Sequence, residues 1–199
     1  MTQLDADELL HFAIRASQNN ESEKAILYLK HALQQEPENA KLHYFLGAQH
    51  AEIGMYDRAV EEMATAVKLD PNLETAHFQL GLLYATSARI EEANNAWEPL
   101  DKLGNEHPLY LFKTGLIQLA KDEFSEATEN LSNGIKLNKL NPDLNNDMQR
   151  ILDSITQINS EQITAEKNSE SDMPKDDKKS GNHIFLSAYE NDANDEQPN

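Results

Sequence analysis

The chain has 199 residues, 39% of them hydrophobic, with 17 basic against 35 acidic side chains, a formal net charge of −18 and no cysteine. That charge repels phosphate backbones and anionic lipid, so neither nucleic acid nor a membrane surface is an expected partner. Without cysteine there is no disulfide framework, thiolate metal site or cysteine nucleophile. The opening "MTQLDADELLHFAIRA" has no basic stretch ahead of an apolar run, and no run of about 18 apolar residues occurs. The expected location is cytoplasmic.

In chain order, the first element pair spans residues 6–39, with Leu9, Phe12, Ala13 and Ala16 on one helical pattern and Ala25 and Leu29 on a second, closed by Pro37. The next pair, residues 40–73, reads "KLHYFLGAQHAEIG" followed by "YDRAVEEMATAVKLDP", with apolar residues at i, i+3, i+4 and i+7 in both halves. Residues 74–107 and 108–141 repeat the plan. Ala25, Ala59, Ala93 and Ala127 recur every 34 residues, as do Gly47, Gly81 and Gly115, with Ala13 in the same phase upstream. Pro37 and Pro71 share a phase, Pro108 and Pro142 another, and Tyr56, Ile90 and Phe124 a third. Each unit is therefore predicted to be a helical hairpin. The small residue on the first helix admits close approach of the alanine on the second, and proline stops the unit.

Within the third unit, Pro99 falls inside "IEEANNAWEPLDKLG", where it removes a backbone donor and crowds the carbonyl four residues earlier. The second helix of that unit is expected to bend or stop near Trp97. After Asn141, "PDLNNDMQRILDSITQI" begins with a proline at a first helical position and carries Leu144, Met148, Ile151, Leu152 and Ile155 on one stripe, which predicts a capping helix over 142–158. Residues 159–199 are polar and acidic and are expected to be a disordered tail. Within it "HIFLSAYE", residues 183–190, places Ile184, Phe185, Leu186 and Tyr189 close together as a short apolar docking motif.

These units resemble the tetratricopeptide repeat, whose pattern is W-x2-L-G-x2-Y, then A-x3-F, then P. The second unit presents His43, Leu46, Gly47, His50, Ala59, Met63 and Pro71 at those positions, and the third presents His77, Leu80, Gly81, Tyr84, Ala93 and Trp97. The outer units match less fully, with Leu9, Phe12, Ala13, Ala16, Ala25, Leu29 and Pro37 in the first and Leu111, Thr114, Gly115, Gln118, Ala127 and Leu131 in the fourth. The resemblance covers about residues 6 to 141. It implies an all-α fold, a right-handed α-solenoid of helical hairpins, and does not by itself fix a chemistry.

Little in the chain points to catalysis. His43 and His77 share one repeat phase, and no H-x3-H or H-E-x2-H spacing occurs. Glu61 with Glu62 and Glu91 with Glu92 read as solvated helix-face charge. The repeat glycines lack the lysine and hydroxyl neighbours of a phosphate loop. No cofactor or metal is expected, and the chain is read as non-enzymatic. The enzymatic alternative would use His43, His50 or His77 with nearby acids.

In tetratricopeptide folds the first helix of each unit lines a concave groove. By that resemblance the groove residues are Leu10 and Ile14, Tyr44 and Ala48, Phe78 and Leu82, and Phe112, Leu116 and Leu119, which also form one helical stripe apart from that of Leu46, Gly47 and His50. Relatives that clamp a C-terminal carboxylate place Lys, Asn and Arg where this chain has mostly apolar residues, with Lys113 and Gln79 isolated. The expected function is a protein-interaction adaptor or scaffold that holds an apolar peptide or amphipathic helix in this groove. The alternative is a cytosolic chaperone for an aggregation-prone client, similar to the small tetratricopeptide chaperones of bacterial secretion systems. The 183–190 motif reads either as an intramolecular competitor for the groove or as a docking motif for another protein.

Overall fold

The computed structural model describes residues 4–168, and these are all helix, turn and connecting loop. The helices are α1 (Ala6–Gln18), α2 (Ser22–Gln35), α3 (Ala40–Glu52), α4 (Tyr56–Leu69), α5 (Glu74–Thr86), α6 (Ile90–Trp97), α7 (Pro108–Ala120), α8 (Phe124–Leu137) and α9 (Pro142–Asn168). A 3₁₀ segment, Glu98–Leu103, follows α6.

Local chemistry sets the boundaries. Asp5 opens α1 with a capping box: its side chain accepts from Glu8 N at 2.8 Å, and Glu8 accepts from Asp5 N at 3.0 Å. Asn39 caps α3, and the His107 ring accepts from Leu109 N ahead of Pro108 at the start of α7. The turn inside each hairpin has its own repeating device. Asn20, Gly54, Ala88 and Asp122, each 34 residues after the last, all adopt positive φ, between 57° and 72°. Around three of these residues the helix end is closed by a reach-back bond, Glu21 N to Ala16 O, Met55 N to His50 O and Glu123 N to Gln118 O. Only Gly54 adopts this backbone without a Cβ penalty.

Pro99 acts as its position demands: α6 ends at Trp97 and the chain tightens into the 3₁₀ segment. The described residues divide into two compact units, one of 4–84 with 91–99 and the other of 85–90 with 100–168.

In the first unit, one buried cluster joins Ala6, Leu9 and Ala13 of α1 to Leu29 and Ala32 of α2 and to Leu42 and Leu46 of α3. A second joins Ala59, Met63 and Ala66 of α4 to Ala76, Leu80 and Leu83 of α5 and Ala96 of α6. Histidines stitch successive hairpins. His43 Nδ1 lies 2.6 Å from Glu62 Oε2 and its Nε2 lies 2.9 Å from the Pro37 carbonyl. His77 repeats the arrangement, with Nδ1 3.1 Å from the Ala96 carbonyl and Nε2 3.1 Å from that of Pro71. Each ring thus ties its own hairpin to the end of the one before.

In the second unit α9 buries Leu144, Met148, Ile151, Leu152 and Ile155, each contributing roughly 1.5–3 kcal/mol when removed from water. Its start is fixed by a buried amide hub. Asn138 Nδ2 donates to Asn141 O and to Asn145 Oδ1, both at 2.8 Å, while its Oδ1 accepts from Leu140 N and Asn141 N. The helix runs past Ile158 to Asn168, beyond the expected start of the disordered tail. Glu161, Gln162, Ala165, Glu166 and Lys167 are all good helix formers, which a count of apolar residues alone does not register. The motif residues Ile184, Phe185, Leu186 and Tyr189 lie outside the described residues.

Candidate functional site

The groove residues divide into two classes. Leu10 and Ile14 on α1 and Tyr44 and Ala48 on α3 are half-buried, as is Ala51 one turn further along α3. These side chains lie at steps of three and four along their helices, so each set forms a stripe that rests on the hairpin core with one edge toward solvent. Leu10 packs against the cluster of the first hairpin and Tyr44, Ala48 and Ala51 against that of the second. The Tyr44 ring meets the Phe45 ring edge-on at 5.3 Å. Burial raises the Tyr44 phenol above its usual pKa, with the Thr75 side chain at the start of α5 opposing the shift. The Tyr44 side chain as a whole is half-buried.

Phe78 and Leu82 on α5 and Phe112, Leu116 and Leu119 on α7 are buried, contrary to their expected place in an open groove. The cause is local. The Phe78 ring stacks on Trp97 with centroids 6.3 Å apart, and Trp97 Nε1 donates to the Phe78 carbonyl at 2.9 Å. The indole fits because Gly81 lies beneath it: a Cβ there would stand 2.2 Å from Nε1. Phe112 is seated the same way over Gly134 of α8, where a Cβ would come within 2.5 Å of the ring. Aromatic rings that sink into glycine gaps cannot also face a ligand.

Polar groups near the stripe are mostly engaged. Lys113 is buried and forms an ion pair with Asp101, its ammonium 5.3 Å from the centroid of the Tyr110 ring, so it does not stand ready for an incoming carboxylate. Gln49 Nε2 donates to Ser17 Oγ at 2.8 Å while its Oε1 is buried without a partner, as is His50 Nδ1. Burial lowers the His50 pKa, with nearby Glu62 opposing and Lys30 and Arg58 reinforcing that shift. His43 and His50 both lie near Glu62, but His43 and His77 serve as ties between hairpins and His50 is buried with its Nδ1 unpartnered. Among the described residues no cluster of three or more histidines and acids is placed to hold a metal ion, and no helix is long and apolar enough to cross a membrane. One surface depression is lined by Glu36, Pro37, Glu38 and Asn39 and another by Leu4, Leu9, His31, Gln34 and Gln35; neither includes a stripe residue.

Sequence reasoning missed Gly134, although it shares the 34-residue phase of the fully buried Ala32 and Ala66, which marks it as a contact position. It also missed the exposed Ile53, Met55 and Tyr56 at the turn of the second hairpin. Tyr56 shares its phase with Ile90 and Phe124, which are half-buried, so the phase did not single it out.

Residues 16–80 match the family model of the tetratricopeptide repeat. No curated protein sequence matches the chain. Among solved structures, the fold is similar to the crystal structure of MamA, with a TM-score of 0.56 at 20% identity over 66% of this chain and 77% of that one. A MamA fragment from Desulfovibrio magneticus RS-1 aligns with a TM-score of 0.56 at 18% identity over 83% of this chain and 97% of that one. Yeast Tom70 aligns with a TM-score of 0.54 at 20% identity, covering 76% of this chain and 31% of that one. At these identities the likeness is one of fold. Residues 16–80 thus carry a match to the tetratricopeptide repeat, and the helical-hairpin fold is the one these structures share.

Proposed function

We propose that this chain is a non-enzymatic protein-interaction module that holds an apolar peptide segment or the apolar face of a helix against Leu10, Ile14, Tyr44 and Ala48. The observation that carries this reading is the contrast along the inner positions. On α1 and α3 they remain half-open, while on α5 and α7 they are filled by the chain's own aromatic packing. A stripe two helices wide suits a short occupant with two or three bulky anchors, because helix axes pack about 8–10 Å apart. Tyr44 is the natural centre: it is the one half-buried aromatic side chain among these four residues, and its ring offers a flat apolar flank.

The test selects peptides of twelve to fifteen residues against the full chain from a random display library and measures the affinity of the winners. Tyr44→Ser and Ile14→Asp are expected to weaken binding at least tenfold each while the helical circular dichroism is retained. Peptides that bind equally well to both variants would place the function elsewhere on the molecule.

A further inference from the structure

Successive hairpins stack through a fixed set of positions on their first helices. On α3 these are Leu42, Leu46 and Gln49, one stripe at i, i+4 and i+7, all buried against the first hairpin. The leucines join its apolar cluster and Gln49 hydrogen-bonds Ser17. On α5 the same positions are Ala76, Leu80 and Leu83, buried with Ala59, Met63 and Ala66 of α4. Thirty-four residues ahead of the α3 set stand Glu8, Phe12 and Arg15 of α1. All three are exposed, and Phe12 is 43% exposed where Leu46 is 3%. The Phe12 ring leans on Tyr28 of α2 with centroids 5.7 Å apart. An aromatic side chain thus sits bare at a position that is buried between hairpins elsewhere in this unit, with an acid four residues before it and a base three residues after.

We propose that this face pairs with the same face of a second copy of the chain, α1 against α1 and antiparallel, so that the two Phe12 rings meet at a two-fold axis and Glu8 of each copy faces Arg15 of the other. The spacing is self-complementary. At about 1.5 Å of rise per residue, Glu8 lies about 6 Å and Arg15 about 4.5 Å along the axis from Phe12, on opposite sides. A dyad through Phe12 therefore brings each acid opposite a base, as an interface made from one patch used twice requires. A purely acidic partner would leave Glu8 unanswered and a purely basic one Arg15; a second copy answers both. Glu8 can take part without leaving its cap, since the carboxylate accepting from Asp5 N has further lone pairs. At the start of the neighbouring α2, Lys24 and Glu21 already pair with one another at 2.8 Å. One helix pair is at the small end of specific interfaces, and two copies of a chain at −18 repel at long range. The dimer is accordingly weak, forming at roughly 10–100 μM in about 0.15 M salt, where charges more than about 8 Å apart are screened.

Sedimentation equilibrium of the full chain, 22.5 kDa as a monomer, across that concentration range is expected to show the mass rising toward twice the monomer value. Phe12→Ser and Arg15→Glu change exposed side chains, so thermal melts should stay close to those of the parent while association weakens at least tenfold. Glu8→Lys alone should also stay monomeric, and an equimolar mixture of the Glu8→Lys and Arg15→Glu chains should associate again, because each then supplies the charge the other lacks. A chain that is monomeric throughout, a dimer indifferent to Phe12→Ser, or a mixture that fails to associate overturns the proposal.

Discussion

Gly81→Ala is the sharpest test of how this fold is packed. The added Cβ would lie 2.2 Å from Trp97 Nε1 and 2.4 Å from Cδ1, well inside van der Waals contact, so the indole would have to withdraw by about 1 Å. It has nowhere easy to go: the ring is 2% exposed, stacked on Phe78 and hydrogen-bonded to the Phe78 carbonyl. Overpacking of this kind costs about 1–3 kcal/mol. Losing the indole hydrogen bond adds about 1 kcal/mol, and the better helix propensity of alanine returns about 1 kcal/mol. The net expectation is a loss of about 1–3 kcal/mol, a fall in Tm of roughly 2–10 °C for a chain of this size. Trp97 is the single tryptophan, so its emission reports the displacement directly alongside a circular-dichroism melt. Gly47→Ala is the control. Its Cβ would meet Met63 Cγ at 3.0 Å, and Met63 Cε and the Ala59 carbonyl oxygen at 3.2 Å; the thioether can shift, the carbonyl contact is far milder than the clash at Gly81, and alanine has the better helix propensity, so the net loss should stay below about 1 kcal/mol. A Gly81→Ala chain with unchanged melting and emission, or a Gly47→Ala chain that loses as much, would refute the reasoning.

Further expectations follow from the turns, a buried imidazole and the asparagine hub. Ala88 holds a φ of 57°, which is strained for a residue with a Cβ, and Ala88→Gly should raise stability by about 0.5–1 kcal/mol in a denaturant titration; no change or a loss would show that the strain is absent. The folded pKa of His50 is held below its ordinary value of about 6.5, first by burial, so the unfolded chain binds a proton that the folded chain resists. The stability tied to this group is complete above pH 6.5 and declines as pH falls below it. Urea midpoints at pH 7.5 and 5.5 should therefore converge in His50→Gln relative to the parent, and an equal pH slope in both chains would contradict the assignment. Asn138→Ala removes four hydrogen bonds at the head of α9 and should cost about 2–3 kcal/mol, with amide exchange accelerated in α9 before α7.

Much of this architecture is legible in the residues. The 34-residue recurrence of alanine and glycine marks where two helices touch, because only small side chains allow that approach, and Pro99 announces the end of α6 at Trp97. The openness of the inner stripe is harder to read. Tyr44, Phe78 and Phe112 occupy one phase and look equivalent, yet Phe78 and Phe112 are drawn inward and Tyr44 is not. The decision rests on what each ring meets: Trp97 over Gly81 in the third hairpin, and the gap at Gly134 in the fourth. Periodicity gives the face a side chain lies on, and the depth of burial depends on partners many residues away. The bare stacking positions on α1 become visible only when Phe12 is compared in space with its buried counterpart Leu46.

The claim that the interaction stripe belongs to α1 and α3 alone is tested most directly by hydrogen exchange on the full chain, with and without a library-selected apolar peptide at saturation. Slowed exchange confined to α1, α3 and the Thr75 end of α5, with α7 and α8 unchanged, is the predicted result. Protection centred on Phe112 and Leu116 of α7 would contradict it.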